Sequence, residues 1–422
     1  SIICAPPSTW CLAMSKASSN FSSLINLKNF LEPATLVRSP TLMKLLFSFE
    51  ELEIQKTVRK FTKNELLPNN RQIDDKGKMP EKTEKKFKEM MLLEAAIPQS
   101  GDNSQGSLTG LIIALKELSY ASMIPSWMLF ENFLLSYSLN NFGSLKLKKK
   151  YLHDLVSLKK IGALAFTEAE TGSDPTQITT VAKKNNDGWI INGSKRFITN
   201  SGTCDYMILF AKTGKNITAF LIDTNKKGYE AGNREAFIHE KSIDNGELYL
   251  KDYLCPDDHV IGDVGQGFDI LLKTEAVGKI AFSSFFVGIA KRALDLSIKF
   301  STTRLHRGEA IGHKFQMIQG KIANIYTNYR AMEALLYQVC SKADSKKDIM
   351  CDSAILKIFI AQNIQKIVSL AMEIHGAYGL SREYEIERLY RIAISAQAVM
   401  GSMDIQQIIA SRSVINTPVD KR

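Results

Sequence analysis

Between Ile161 and Gly265 the chain breaks into short β-rich runs, at 178–182, 189–191, 207–210, 217–222 and 248–250. Turn signals separate them: Asn186-Asp187-Gly188, Asn192-Gly193 and Asn245-Gly246. Short strands at regular spacing with polar turns predict a small antiparallel barrel or sandwich. On both sides of this block the hydrophobic period changes to that of helices. From 50 to about 160 apolar residues recur at mostly three- and four-residue steps, as in Leu52-Ile54-Val58-Phe61 and Leu111-Ile112-Leu115-Leu118. From 268 to 414 the same period returns in long proline-free stretches, clearest at 294–300, 317–339 and 354–371. The fold class that follows is mainly α with a central β domain.

With 422 residues, 45% of them hydrophobic, the chain can bury a large core divided among two or three domains. The predicted division is 43–160 as an N-terminal α-helical domain, 161–265 as the β domain and 266–422 as a C-terminal helical bundle. Residues 1–42 are Ser-rich and basic, with Glu32 the single acid. They read as a transit peptide, which would send the protein to the mitochondrial matrix. The alternative is a leader or disordered tail ahead of a start near Met43, with a cytoplasmic protein.

The net charge of +10 raises the question of nucleic acid, but the lysines are dispersed, as at 146–150 and Lys346-Lys347, without aromatic interleaving. They are expected to form solvated helix faces, with no nucleic-acid partner. No apolar run reaches the roughly 18 residues of a membrane span, so no transmembrane segment is expected. Six cysteines lack CxxC spacing, which argues against a disulfide framework or a zinc site.

Two segments carry chemistry. Phe166-Thr167-Glu168-Ala169-Glu170-Thr171-Gly172-Ser173-Asp174 reads as a strand running into a polar turn. Its main-chain N–H groups and hydroxyls suit an anion or a ring carbonyl. Phe197-Ile198-Thr199-Asn200 ends a strand with an aromatic and a hydroxyl, a pairing that can stack on and hydrogen-bond to a flat heteroaromatic ring. No GxGxxG follows a strand, so a Rossmann site has no support.

Together with Asn192-Gly193-Ser194-Lys195, Gly262-Asp263-Val264-Gly265-Gln266-Gly267-Phe268, Gly376-Ala377-Tyr378-Gly379 and Glu387-Arg388-Leu389-Tyr390-Arg391, these segments resemble the acyl-CoA dehydrogenase family over about 47–414. The resemblance implies an N-terminal helical domain, a small antiparallel β domain and a C-terminal helical bundle. It implies FAD as cofactor, an acyl-CoA or other acyl thioester as substrate, an electron-transfer flavoprotein as partner, and a homo-oligomer, dimer or tetramer. By the same resemblance Thr167, Thr199 and the main chain at Phe166 would hydrogen-bond the isoalloxazine edge, and Phe197 would pack on the ring. Ser173 would serve the pyrophosphate and the thioester tail. Arg304 would reach the pyrophosphate, Glu373 and Ala377 the ribityl or diphosphate portion, and Ser402 and Asp404 the adenosine. Glu373 stands where the family usually has Gln, which sets a negative charge near a phosphate-bearing ligand.

Desaturating an acyl thioester needs a carboxylate to take the α-proton. The family keeps that Glu at the place of Met400, before Gly401-Ser402, or in some branches at the place of Gly278, before Lys279. Neither residue here can serve as the base. Glu275, three residues before Gly278 and on the same helical face, is the candidate replacement; its alternative is a solvated surface acid. Three functional readings follow: an FAD-dependent oxidoreductase of acyl thioesters, a catalytically silent relative acting as a binding or assembly subunit, and flavin monooxygenase-type chemistry.

Overall fold

The computed structural model describes residues 47–98, 106–239 and 243–415, so the expectation for residues 1–42 lies outside the described residues. The described residues fall into two units that divide between Leu52 and Glu53. In the first, Ser48 and Glu51 form a reciprocal capping box: the Ser48 N–H donates to Glu51 Oε2 at 2.8 Å, and the Glu51 N–H donates to Ser48 Oγ at 3.2 Å.

The second unit begins with helices. Two of them, α1 (Leu108–Ser119) and α2 (Ile124–Phe142), are buried over most of their length. After the β domain come α3 (Gly267–Thr303), α4 (Gln316–Asp344), α5 (Met350–His375), α6 (Ile386–Ala393) and α7 (Met403–Val414). The 37-residue α3 is the spine of the bundle. Apart from Lys279, its stretch from Ala276 to Ala290 is small or apolar on every side, and all of it is buried, as in an interior helix. It meets α2 through an aromatic cluster in which Trp127 and Phe130 pack on Phe282 and Phe285, with Trp127 and Phe285 centroids 5.5 Å apart. A buried ion pair, Lys116 Nζ to Glu333 Oε1 at 2.8 Å, ties α1 to α4.

Helix α5 modifies one expectation. A helical span from Met350 to Leu380 has a mean hydropathy of 1.3 over its most apolar 18 residues, so one helix among the described residues is long and apolar enough to cross a membrane by length and composition. The expectation of no such segment overlooked it because Lys357 and Lys366 interrupt the run. In this fold 44% of that window is buried inside the protein, where Leu356, Ile360, Ile364, Ile367 and Val368 form its inward face.

The β domain is one sheet in the order β6-β7-β3-β2-β4-β5-β8, with β1 pairing β4 off this path. Its strands are β1 (Gly162–Ala165), β2 (Val181–Asn185), β3 (Gly188–Thr199), β4 (Tyr206–Thr213), β5 (Asn216–Asp223), β6 (Tyr229–Arg234), β7 (Asn245–Cys255) and β8 (Val260–Ile261). The pairs are antiparallel except that β4 runs parallel to both β1 and β2. Residues 186–187 do form the two-residue turn joining β2 to β3. The other two turn signals are corrected. Asn192-Gly193 lies inside β3, at a register shift against β7, where a Cβ on Gly193 would sit 2.5 Å from Thr180 Oγ1. Asn245-Gly246 opens β7, and a Cβ on Gly246 would sit 2.4 Å from the Asn233 carbonyl. In both places the glycine serves a close backbone approach, which local sequence shares with turns. The β4–β5 turn instead uses Gly214, at φ 69°.

Candidate active site

The 166–174 turn is fastened by charge. Glu168 accepts five hydrogen bonds: from the N–H and hydroxyl of Thr179 at 2.5 and 2.6 Å, from the N–H and hydroxyl of Thr180 at 3.0 and 2.7 Å, and from Lys195 Nζ at 2.8 Å. Lys195, whose side chain is fully buried, also donates to the Phe166 carbonyl at 2.9 Å. Burial pushes the Glu168 carboxyl up, but Lys195 and the two threonines overcome it and hold the group at about 2. Glu168 is thus the anchor that pins the turn to β3 and to the segment leading into β2.

The next residue of β3 continues this alignment, because the Arg196 N–H donates to the Thr167 carbonyl at 2.9 Å. A second register shift, between Lys195 and Ile198, then bulges the strand. At the bulge Phe197 takes φ 59°, a left-handed conformation uncommon for a bulky side chain, and its ring is turned outward, 47% exposed. The Arg196 guanidinium lies 5.1 Å from the centre of that ring. Two residues on, the buried Thr199 hydroxyl accepts from Asn245 Nδ2 at 3.1 Å, while Asn245 Oδ1 is buried without a donor. The Thr167 hydroxyl has no protein partner among the described residues. Phe166, Thr167, Phe197 and Thr199 are therefore brought together, and Ser173 lies exposed on the same turn. An outward aromatic face, two hydroxyls and an orphaned amide acceptor form a donor and acceptor set that fits a flat ring bearing N–H, C=O and ring nitrogens.

Behind Thr199 stands a carboxyl that the sequence reading passed over. Glu131, on α2, is 5% exposed, and the neighbouring Thr199 side chain and Leu164 main chain favour its charged form. Burial outweighs both influences and raises its pKa to about 8. The sequence signal was a lone Glu inside the apolar run 128–137.

The two positions where a base was expected lie against each other. A Cβ on Gly278 would fall 2.6 Å from Met400 Cε and 3.0 Å from Leu134 Cδ2. Met400 and Gly401 both have positive φ, 60° and 86°. The Lys357 ammonium donates to the Gly401 carbonyl. Lys357 is buried, and burial and the neighbouring Lys279 lower it to about 7. Glu275 lies one turn from Gly278, as its spacing predicts, with its carboxylate 3.7 Å from the buried Lys279 ammonium.

The remaining candidates form other groups, and no hydrogen bond, ion pair or ring contact among the described residues joins them to Thr167 or Thr199. Arg304 ends α3 with its guanidinium 5.3 Å from the Tyr378 ring centre. Glu373 pairs with Lys321 at 2.8 Å, which neutralises the charge that was a concern near a phosphate. Ala377 is exposed, just after Gly376 at φ 59°. Ser402 caps α7, its hydroxyl accepting from the Ile405 N–H at 3.4 Å, and Asp404 lies in the first turn of that helix. His375 is buried beside Phe300, with Nδ1 2.7 Å from the Ala371 carbonyl, and burial lowers its pKa.

Family models for acyl-CoA dehydrogenase match throughout: the N-terminal domain over residues 48–159, the middle domain over 163–253 and the C-terminal domain over 265–415. The chain is 31% identical over 323 residues to a short-chain specific acyl-CoA dehydrogenase of Megasphaera elsdenii, covering 75% of this chain and 84% of that protein. It is 29% identical over 374 residues to the CarC subunit of the caffeyl-CoA reductase-Etf complex of Acetobacterium woodii, covering 87% and 98%. Among solved structures, butyryl-CoA dehydrogenase from Megasphaera elsdenii superimposes with a TM-score of 0.83 at 29% identity, covering 87% of this chain and 99% of that one. An FAD complex of PigA superimposes with a TM-score of 0.81 at 25% identity, covering 87% and 98%.

Proposed function

The chain belongs to the acyl-CoA dehydrogenase family, and from that premise we propose that it is an FAD-dependent oxidoreductase of acyl thioesters in which residues 278 and 400 take no part in proton transfer. FAD is the cofactor. The observation that carries the reading is the bulge of β3, where an outward Phe197 and the Thr199 hydroxyl lie beside a turn pinned by Glu168 and Lys195. Thr167, Thr199 and the main chain at 166 would hold the ring edge, and Phe197 would cover a ring face. When bound, FAD supplies hydride transfer to or from the thioester β-carbon. A carboxyl group must then handle the α-proton, and Glu275, fixed on Lys279, is the nearest along the helix to the family's position.

An electron-transfer flavoprotein is the proposed electron partner, in keeping with the Etf complex in which the Acetobacterium relative is named. A second copy of the chain is proposed to cover the exposed Leu305, Met317 and Leu380 of the bundle region and to bring Arg304 toward the cofactor. The test is direct. Purified protein titrated with FAD should develop a bound-flavin spectrum, and anaerobic addition of an acyl-CoA panel, oxidised and enoyl forms with reduced protein included, should bleach or restore it. Protein that stays colourless with excess FAD would overturn the proposal.

A second reading, a silent binding or assembly subunit, is favoured by one observation: Met400 fills the space over Gly278 where a base would stand. Bound flavin that no thioester bleaches or restores would select it.

A further inference from the structure

The Arg391 side chain leaves the helical bundle and ends on the β domain. Arg391 lies in the last turn of α6. Glu387, one turn earlier, holds its guanidinium along one edge, with Nε donating to Oε2 at 2.8 Å and Nη2 to Oε1 at 3.1 Å. The remaining nitrogen, Nη1, donates to two successive carbonyls, Ile238 at 3.3 Å and His239 at 3.2 Å. Those carbonyls belong to the segment that follows β6. A planar fork already fixed by a carboxylate on one edge gives up little freedom when it bonds on the other.

The clasped segment brings two rings onto the outward Phe197. Phe237 and His239 stack with centres 4.9 Å apart and planes 11° apart, and Phe237 meets Phe197 at 6.2 Å and 45°. The other end of the segment is fastened to the same ring's surroundings: Glu235 accepts from Arg196 Nε at 2.8 Å, and the Arg196 guanidinium lies over Phe197. Both neighbours of the Phe197 ring are therefore set by residues 235–239. A bulky residue keeps a left-handed backbone where its surroundings over-determine it, and here those surroundings lead back to Arg391. Resting on the FAD reading above, we infer that Arg391 is a positioning residue for Phe197. By clasping the carbonyls of 238 and 239 it holds the Phe237–His239 pair against the Phe197 ring, and so sets the plane which that ring presents to the isoalloxazine. Helix α6 also leads, through residues 394–399, into the turn that carries Met400, so one helix ties the ring cover to the base position.

The test measures FAD affinity by quenching of flavin fluorescence, in the parent and in a Phe197→Leu background. In the parent, Arg391→Met should lower affinity about two- to tenfold, the worth of one well-placed aromatic contact, and should alter the visible circular dichroism of the bound flavin. In the Phe197→Leu background the same substitution should change affinity less than about twofold, because residues that act through one contact do not add. Arg391→Lys, which keeps the charge but loses the fork, should recover part of the affinity. No loss in Arg391→Met, or an equal loss with and without Phe197, overturns the inference, since a clasp that served only the fold would weaken both backgrounds alike. If Arg391→Met does not fold, Phe237→Leu carries the same comparison from the loop side: a loss confined to chains with Phe197 supports the inference, and no loss or an equal loss overturns it. Arg391→Met protein that binds FAD as tightly as the parent leaves the cofactor reading standing, whereas a parent that fails to bind FAD removes both.

Discussion

The turn at 166–174 and the turn at 400–401 both border the proposed reaction site, and they are secured by different means. The first is fixed by a buried ion pair, with Glu168 collecting five donors from Lys195 of β3 and from Thr179 and Thr180 just ahead of β2. The second holds a thioether against a glycine, and the Lys357 ammonium reaches only its main-chain carbonyl. The contrast separates what the fold requires from what chemistry requires. Removing a partner from the first turn strands a buried charge, whereas exchanging a carboxylate for Met400 leaves a well-packed apolar contact. The cradle is coupled to stability and the base position is not.

Four substitutions can break or sharpen that contrast. The largest effect is expected from Met400→Glu, which restores a carboxylate beside two buried ammonium groups, Lys279 and Lys357, that now share Glu275. If the cradle holds FAD, dehydrogenase turnover measured by dye reduction should rise roughly 10²- to 10⁴-fold, the usual contribution of a general base. No rise with FAD bound would mean that the cleft itself has changed. Next is Lys195→Met, which leaves Glu168 buried and unpaired and should destabilise the protein by about 3–5 kcal/mol in denaturant titration. An effect under about 1 kcal/mol would contradict the anchoring role of the pair.

Glu131→Gln comes third and acts in the opposite direction. Because the folded carboxyl is raised from 4.5 to about 8, its stabilising contribution is complete below pH 4.5 and is lost as pH rises toward 8, where only the unfolded chain has been ionised. At pH 7 the lost stability is about 3 kcal/mol. The variant should match the parent near pH 4.5 and exceed it increasingly up to pH 8, read as thermal midpoints across pH. A constant difference would refute the raised pKa. The smallest effect belongs to Gly278→Ala, whose Cβ would lie 2.6 Å from Met400 Cε. It should cost about 1–3 kcal/mol, and Met400→Ala in the same chain should relieve most of it. A purely additive double variant would show that the two residues do not touch.

The order of helical, β and helical regions was legible because each period persists over tens of residues. Phe197 and Thr199 were legible as a motif, and so was the 186–187 turn. What the sequence concealed lies in long-range contacts. Glu168 meets Thr179, Thr180 and Lys195 only after β2 and β3 pair, and no spacing rule links residues 27 apart. Glu131 was hidden by its setting, since helical period says that a position faces inward but not that the interior there borders a cleft. Asn192-Gly193 misled because a glycine demanded by close backbone approach has the same local appearance as one demanded by a turn.

The contact between Gly278 and Met400 also makes the order of any redesign matter. A carboxylate introduced at 278 collides with the thioether and can be accommodated only after 400 has been trimmed. One introduced at 400 inherits the space over the glycine and needs no prior change. Of the two historical seats for a proton acceptor, the present chain leaves a single-step route open to one and sets a barrier before the other.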